Sequence, residues 1–88
     1  RLSHYRDGNG REIDVMIDLP DGGVIGLEIK YAARPTRAHF QHLLAMEEAV
    51  GDDWRMGVLL YAGDRAERLT ATQWAFPVSA LWELAPPS

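Results

Sequence analysis

Hydrophobic and polar residues alternate with a period of two through Arg11–Leu19: Ile13, Val15, Ile17 and Leu19 point one way, Glu12, Asp14, Met16 and Asp18 the other. That is the pattern of a half-buried strand. Asp7-Gly8-Asn9-Gly10, a strong turn signal, separates it from a short mixed run at Leu2–Arg6, and Pro20-Asp21-Gly22-Gly23 ends it. Alternation resumes over Val24–Tyr31, with Ile25, Leu27, Ile29 and Tyr31 on one face and Glu28 and Lys30 on the opposite one. From Thr36, a fitting N-cap, the period becomes helical and runs to about Val50. Phe40, Leu43, Leu44, Ala45, Met46 and Val50 form its apolar stripe, and Gly51 stands where a helix-ending glycine belongs. Within Trp54–Ala62, the run Gly57-Val58-Leu59-Leu60-Tyr61 predicts a buried strand. Leu69–Phe76 reads as a weaker edge strand, Pro77–Leu84 as a short terminal helix, and Ala85-Pro86-Pro87-Ser88 as a tail.

The predicted order is therefore β-β-β-α-β-β-α, an α/β domain over residues 1–84 followed by the tail 85–88. A strand–helix–strand crossover is right-handed and joins parallel strands. Strands three and four should then lie parallel with the helix packed on the sheet, and the first three strands form an antiparallel meander. The sheet is mixed. Arg1 at the start leads us to expect a piece of a longer chain. With 47% hydrophobic and 25% charged residues, the composition is that of a globular protein rather than a disordered one. A net charge of −4 argues against a generally basic nucleic-acid coat but leaves room for a local basic patch. The absence of cysteine excludes disulfides, thiolate zinc sites and cysteine nucleophiles. No apolar run approaches the ~20 residues needed to span a bilayer. Arg1–Asp7 also lacks the apolar core of a signal peptide, so a cytoplasmic, membrane-free protein is expected.

The candidate chemistry follows from hairpin register. If Pro20-Asp21-Gly22 is a three-residue loop with Gly22 in the left-handed position, Leu19 faces Gly23 and Asp14 lies directly opposite Glu28. Lys30 then shares their face. A four-residue loop would slip the register by one and separate the carboxylates. Two carboxylates side by side repel unless something offsets them, and a hard divalent cation does so. Mg²⁺ suits one or two carboxylates plus water and phosphate. A lysine beside it can orient water or stabilise developing negative charge, which are the requirements of phosphodiester hydrolysis. The backbone carbonyl of Ile29 is a further candidate ligand. The plain alternative is a cross-strand ion pair of Asp14 with Lys30 in an ordinary half-exposed sheet.

His4-Tyr5-Arg6, Gly10-Arg11-Glu12-Ile13-Asp14 and Gly26-Leu27-Glu28-Ile29-Lys30 together resemble the PD-(D/E)XK nuclease signature, in which an acidic residue precedes a Glu-x-Lys strand. More narrowly, with Gly57–Tyr61 and Trp74–Trp82 also matching, nearly the whole chain resembles the uncharacterised domain found C-terminal to an ATPase module in bacterial and archaeal AAA-type proteins. The resemblance implies a restriction-endonuclease-like fold, with Asp14, Glu28 and Lys30 as the catalytic set and Asp14, Glu28 and Ile29 as ligands of Mg²⁺ or Mn²⁺. It also implies an upstream ATPase domain, the only part that would bind ATP, and DNA as substrate. Relatives in this superfamily that only bind leave an alternative: a non-catalytic DNA- or protein-binding module that docks on its own ATPase domain.

Secondary candidates surround this core. Arg34 and Arg37, just after the Glu-x-Lys strand and near the helix start, could meet nucleic-acid phosphate or simply be solvated. Gln41, a turn further on, resembles the helix glutamine of some nuclease relatives and is a nucleic-acid candidate on that resemblance alone. Glu12 shares the Asp14 face, and Tyr5 would pair with Asp14 if Asn9-Gly10 closes a two-residue hairpin. His39 and His42, three apart, have the spacing of a zinc pair but no evident third ligand. Ser79 lacks a nucleophile-elbow context. Trp54, Trp74 and Trp82 suit core or interface packing better than base stacking.

Overall fold

The computed structural model describes the backbone of residues 2–8 and 12–79, with side chains from Asp14 to Ser79. Its strands are β1 (Leu2–Gly8), β2 (Glu12–Asp18), β3 (Val24–Lys30), β4 (Trp54–Tyr61), β5 (Glu67–Thr70) and β6 (Gln73–Pro77). They form one six-stranded sheet in the order β1-β2-β3-β4-β6-β5. β1, β2 and β3 are an antiparallel meander, β3, β4 and β6 run parallel, and β5 is antiparallel to β6. The architecture is α/β with a mixed sheet, and among the described residues one α-helix, α1 (Gln41–Val50), accompanies it. No helix of the described residues is long and apolar enough to cross a membrane.

The β2–β3 turn has the three-residue form. Gly22 N donates to Leu19 O at 3.0 Å and Leu19 N to Gly23 O at 2.8 Å. Pro20 presets the first turn dihedral, and Gly22 adopts φ +90°, which side chains with a Cβ resist. The Asp21 carboxylate accepts from Gly23 N at 2.8 Å and holds the turn closed.

One sheet face carries the core. Phe40, Leu43, Trp54, Leu59, Tyr61 and Ala75 are all buried there, bringing α1 against β3, β4 and β6. The Trp54 ring lies over Gly26 and Gly57, register partners on β3 and β4. A polar clasp ties the helix to β6. Fully buried Gln73 donates through Nε2 to Glu47 Oε1 at 2.8 Å and to Leu43 O at 3.3 Å, and Thr72 Oγ1 donates to Glu47 Oε2 at 2.8 Å.

Four expectations need correction or fall outside the described residues. The helix expected from Thr36 begins as a 3-10 turn at Arg37–Phe40 and becomes α-helical only at Gln41. There Thr36 N donates to His39 Nδ1 at 3.1 Å and His39 N to Thr36 O at 3.0 Å, which favours the tighter turn. The single edge strand expected at Leu69–Phe76 is two strands. β6 is internal beside β4, and of the two it is β5 that lies at an edge. The break at Ala71-Thr72 is made by Thr70 Oγ1, which accepts from Thr72 N at 3.2 Å. Tyr5 pairs with Val15 rather than Asp14, because Gly8 faces Glu12 and three residues separate them; Arg6 takes the place opposite Asp14. Of the expected terminal helix, Pro77 ends β6 and Val78-Ser79 form a turn; residues 80–88, with the tail, lie outside the described residues.

A Cβ at Gly26 would overlap the Trp54 ring and stand 3.1 Å from Leu43 Cδ2. Gly26→Ala should therefore lower the unfolding free energy by about 1–3 kcal/mol, the range of core overpacking. Urea denaturation would show a reduced midpoint at an unchanged slope.

Candidate functional site

Register places Asp14 of β2 directly opposite Glu28 of β3. Both side chains point to the face that α1 covers, since Gly26, two residues before Glu28, touches Leu43 of that helix. The two carboxylates are almost inaccessible, Asp14 at 4% and Glu28 at 0% exposure. Lys30, two residues along β3, brings Nζ to 3.5 Å from Glu28 Oε2. His42, in the first turn of α1, reaches down between the carboxylates. Its Nδ1 lies 3.2 Å from Glu28 Oε2 and 3.4 Å from Asp14 Oδ2. The His42 side chain is 40% exposed and Lys30 only 14%, so the cluster opens to solvent on the histidine side.

The electrostatics of Glu28 reflect burial and a neighbouring carboxylate. Burial first, and the Asp14 carboxylate second, push the Glu28 carboxyl above its ordinary value, while His42 and Lys30 pull it back. Glu28 Oε1 is buried and has no hydrogen-bond partner among the described residues. A buried carboxylate oxygen left in this way is destabilising unless a cation or donor meets it. One ligand atom each from Asp14, Glu28 and His42 falls within a span of 4.8 Å, a spacing that fits a single metal ion. Ile29 alternates with Glu28, so its side chain faces the other side of the sheet, and with its backbone between Ile13 and Leu60 only a carbonyl lone pair would be left for a ligand.

Arg34, Arg37 and Gln41 are exposed. Arg34 lines a crevice of about 520 Å³ with Tyr61, Asp64, Arg65 and Glu67, and Arg37 lines a smaller one with Phe40 and Arg68. The larger crevice adjoins the site through Tyr61, the register partner of Lys30, whose hydroxyl donates to Arg65 O. Glu12 lies opposite Lys30 in register. Ser79 is exposed in the turn after β6, and Trp82 lies outside the described residues. Trp54 is in the core, whereas Trp74 stacks on Phe76 on the reverse face, with the Arg68 guanidinium above it.

His42 is the member of the cluster that sequence spacing assigned differently. Its predicted companion His39 is engaged with Thr36 N, so the two histidines serve separate ends. A usable signal was present. A right-handed crossover lays the first helical turn over the end of the preceding strand, and residue 42 adjoins the buried stripe at Phe40 and Leu43.

With this geometry in view, residues 1–81 match the family model described as Domain of unknown function (DUF4143), and the chain belongs to that family. No curated protein and no solved structure matches the chain.

The raised Glu28 carboxyl has a sign that can be measured. Because the folded value lies above the ordinary 4.5, the stabilising contribution of the protonated form is complete below that pH and is lost as pH rises through the raised value. Without metal, Glu28→Gln should melt at a higher temperature than the wild type near neutral pH, and the gap should close on acidification. Circular-dichroism melts between about pH 4 and pH 8 test this; equal melting temperatures throughout would contradict it.

Proposed function

We propose that this DUF4143 domain is a metal-dependent phosphodiester-cleaving module of the PD-(D/E)XK type acting on DNA, with Asp14 and Glu28 holding Mg²⁺ or Mn²⁺ and Lys30 facing the scissile phosphate. One observation carries the proposal. The β2–β3 register gathers Asp14, Glu28 and Lys30 on one face, and a buried Glu28 oxygen there lacks a hydrogen-bond partner among the described residues. A bound cation would supply Lewis-acid polarisation of a phosphoryl oxygen and a water of lowered pKa.

The chain's own residues have definable parts. Asp14 and Glu28 present carboxylate oxygens from adjacent strands of a rigid sheet, which fixes their separation better than a loop could. Lys30 offers an ammonium with three donors, held by Glu28 Oε2, for negative charge on the phosphorane. Screening by the helix keeps most water from the carboxylates, so each charge acts more strongly. Arg34 and Arg65, which share the crevice beyond Tyr61 with Asp64 and Glu67, would meet neighbouring backbone phosphates. A restriction-endonuclease-like fold is compatible with the strand pairing around β3 and β4, and an ATPase module upstream remains part of the proposal.

A second reading, a non-catalytic docking module for DNA, a protein or its own ATPase domain, is favoured by the reverse sheet face. Ile25, Leu27, Val58, Trp74 and Phe76 lie there only half-buried among the described residues.

Plasmid nicking separates the two. With Mg²⁺ or Mn²⁺ supplied, the protein should convert supercoiled DNA to nicked circles, and Asp14→Ala and Lys30→Ala should each slow this by about 100-fold or more. Cleavage undiminished in both variants would exclude the nuclease reading.

A further inference from the structure

The two-carboxylate reading accounts for Asp14, Glu28 and Lys30 but leaves His42 without a part. Its placement is specific. Nδ1 sits 3.2 Å from one carboxylate oxygen and 3.4 Å from the other, approaching neither at the short distance of a charge-assisted hydrogen bond. Neighbouring donors around one ion with ligand bonds near 2.1 Å are separated by roughly 3.0–3.5 Å. The spacing of Nδ1 from Oδ2 and Oε2 is thus that of adjacent corners of a coordination polyhedron. An ion pair with His42 also leaves Glu28 Oε1 unmet among the described residues at 0% exposure, whereas an ion seated among the three residues would lie within its reach. The histidine is the cluster's exposed wall, so an ion can enter past it.

We infer that His42 is a third protein ligand of this centre and that its imidazole nitrogen selects a first-row transition ion, Mn²⁺ or a heavier neighbour, over Mg²⁺. The inference rests on the metal-binding reading of Asp14 and Glu28. An all-oxygen pair suits hard Mg²⁺, which prefers to keep its waters; an added nitrogen donor raises affinity along the series from Mn²⁺ toward Zn²⁺. His42 also belongs to α1 whereas the carboxylates belong to β2 and β3, so one ion would pin the helix to the meander. Binding should then raise the melting temperature as well as fill the site.

Pulsed electron paramagnetic resonance of Mn²⁺ bound to the intact chain reads the nitrogen ligand directly, whether or not the protein is catalytically active. The wild type should show modulation from a coordinated imidazole nitrogen, altered by isotopically labelled histidine. His39→Ala should retain it. His42→Ala should lose it, with Mn²⁺ affinity by calorimetry falling about tenfold or more and Mg²⁺ affinity nearly unchanged. Mn²⁺ bound with no nitrogen modulation would overturn the inference while leaving the carboxylate centre standing. Binding of neither Mn²⁺ nor Mg²⁺ would overturn both. The labelled wild type keeps the test decisive even if His42→Ala folds poorly.

Discussion

Two carboxylates held face to face across an antiparallel pair, both shut off from water, repel one another, and much of the surrounding structure answers that repulsion. Lys30 approaches Glu28 from along the same strand, and His42 approaches both acids from the helix above. Neither contact cancels the effect, because the Glu28 carboxyl is still pushed upward. The site is a strained place in an otherwise well-packed sheet, and the apolar core of Phe40, Leu43, Leu59 and Tyr61 supplies the stability that tolerates it.

The same helix does two jobs. Through Phe40 and Leu43 it covers the core, and one residue away it delivers an imidazole to the acids. Its position is not left to apolar contact alone. The clasp of Gln73, Thr72 and Glu47 fixes α1 against β6 at the far side of the sheet from β2. Buried and directional, these hydrogen bonds define where the helix rests more sharply than packing of Leu and Phe would. The location of His42 therefore depends on a strand that contributes no residue to the cluster.

How much of this could be read beforehand depends on the type of interaction. The Asp14–Glu28 pairing was legible because a turn built from Pro20, Asp21 and Gly22 dictates register through backbone dihedrals, which are local. The parallel placement of β3 and β4 followed from handedness. The β5–β6 hairpin was hidden because Ala71-Thr72 contains no Gly, Pro or Asn. That turn is closed by the Thr70 hydroxyl, and Arg68 Nε adds a bond to Thr70 O at 3.2 Å. Asn9-Gly10 suggested a two-residue loop where the pairing leaves three residues, which moved Tyr5 away from Asp14. The role of His42 is tertiary. Helical periodicity tells which stripe is buried, not which sheet residue lies beneath a given side chain, and spacing along the chain paired His42 with His39 instead of with the carboxylates.

The turn between β2 and β3 has one more consequence. Exposed surface turns are ordinarily where chains gain and lose residues freely. Pro20, Asp21 and Gly22 are exposed and touch nothing in the cluster, yet the number of residues there decides which side chains of β2 meet β3. The segment can vary in character but not in length. A duplication or deletion of a single codon at this solvent-washed corner would turn Asp14 away from Glu28 while every residue of the site stayed intact in the gene.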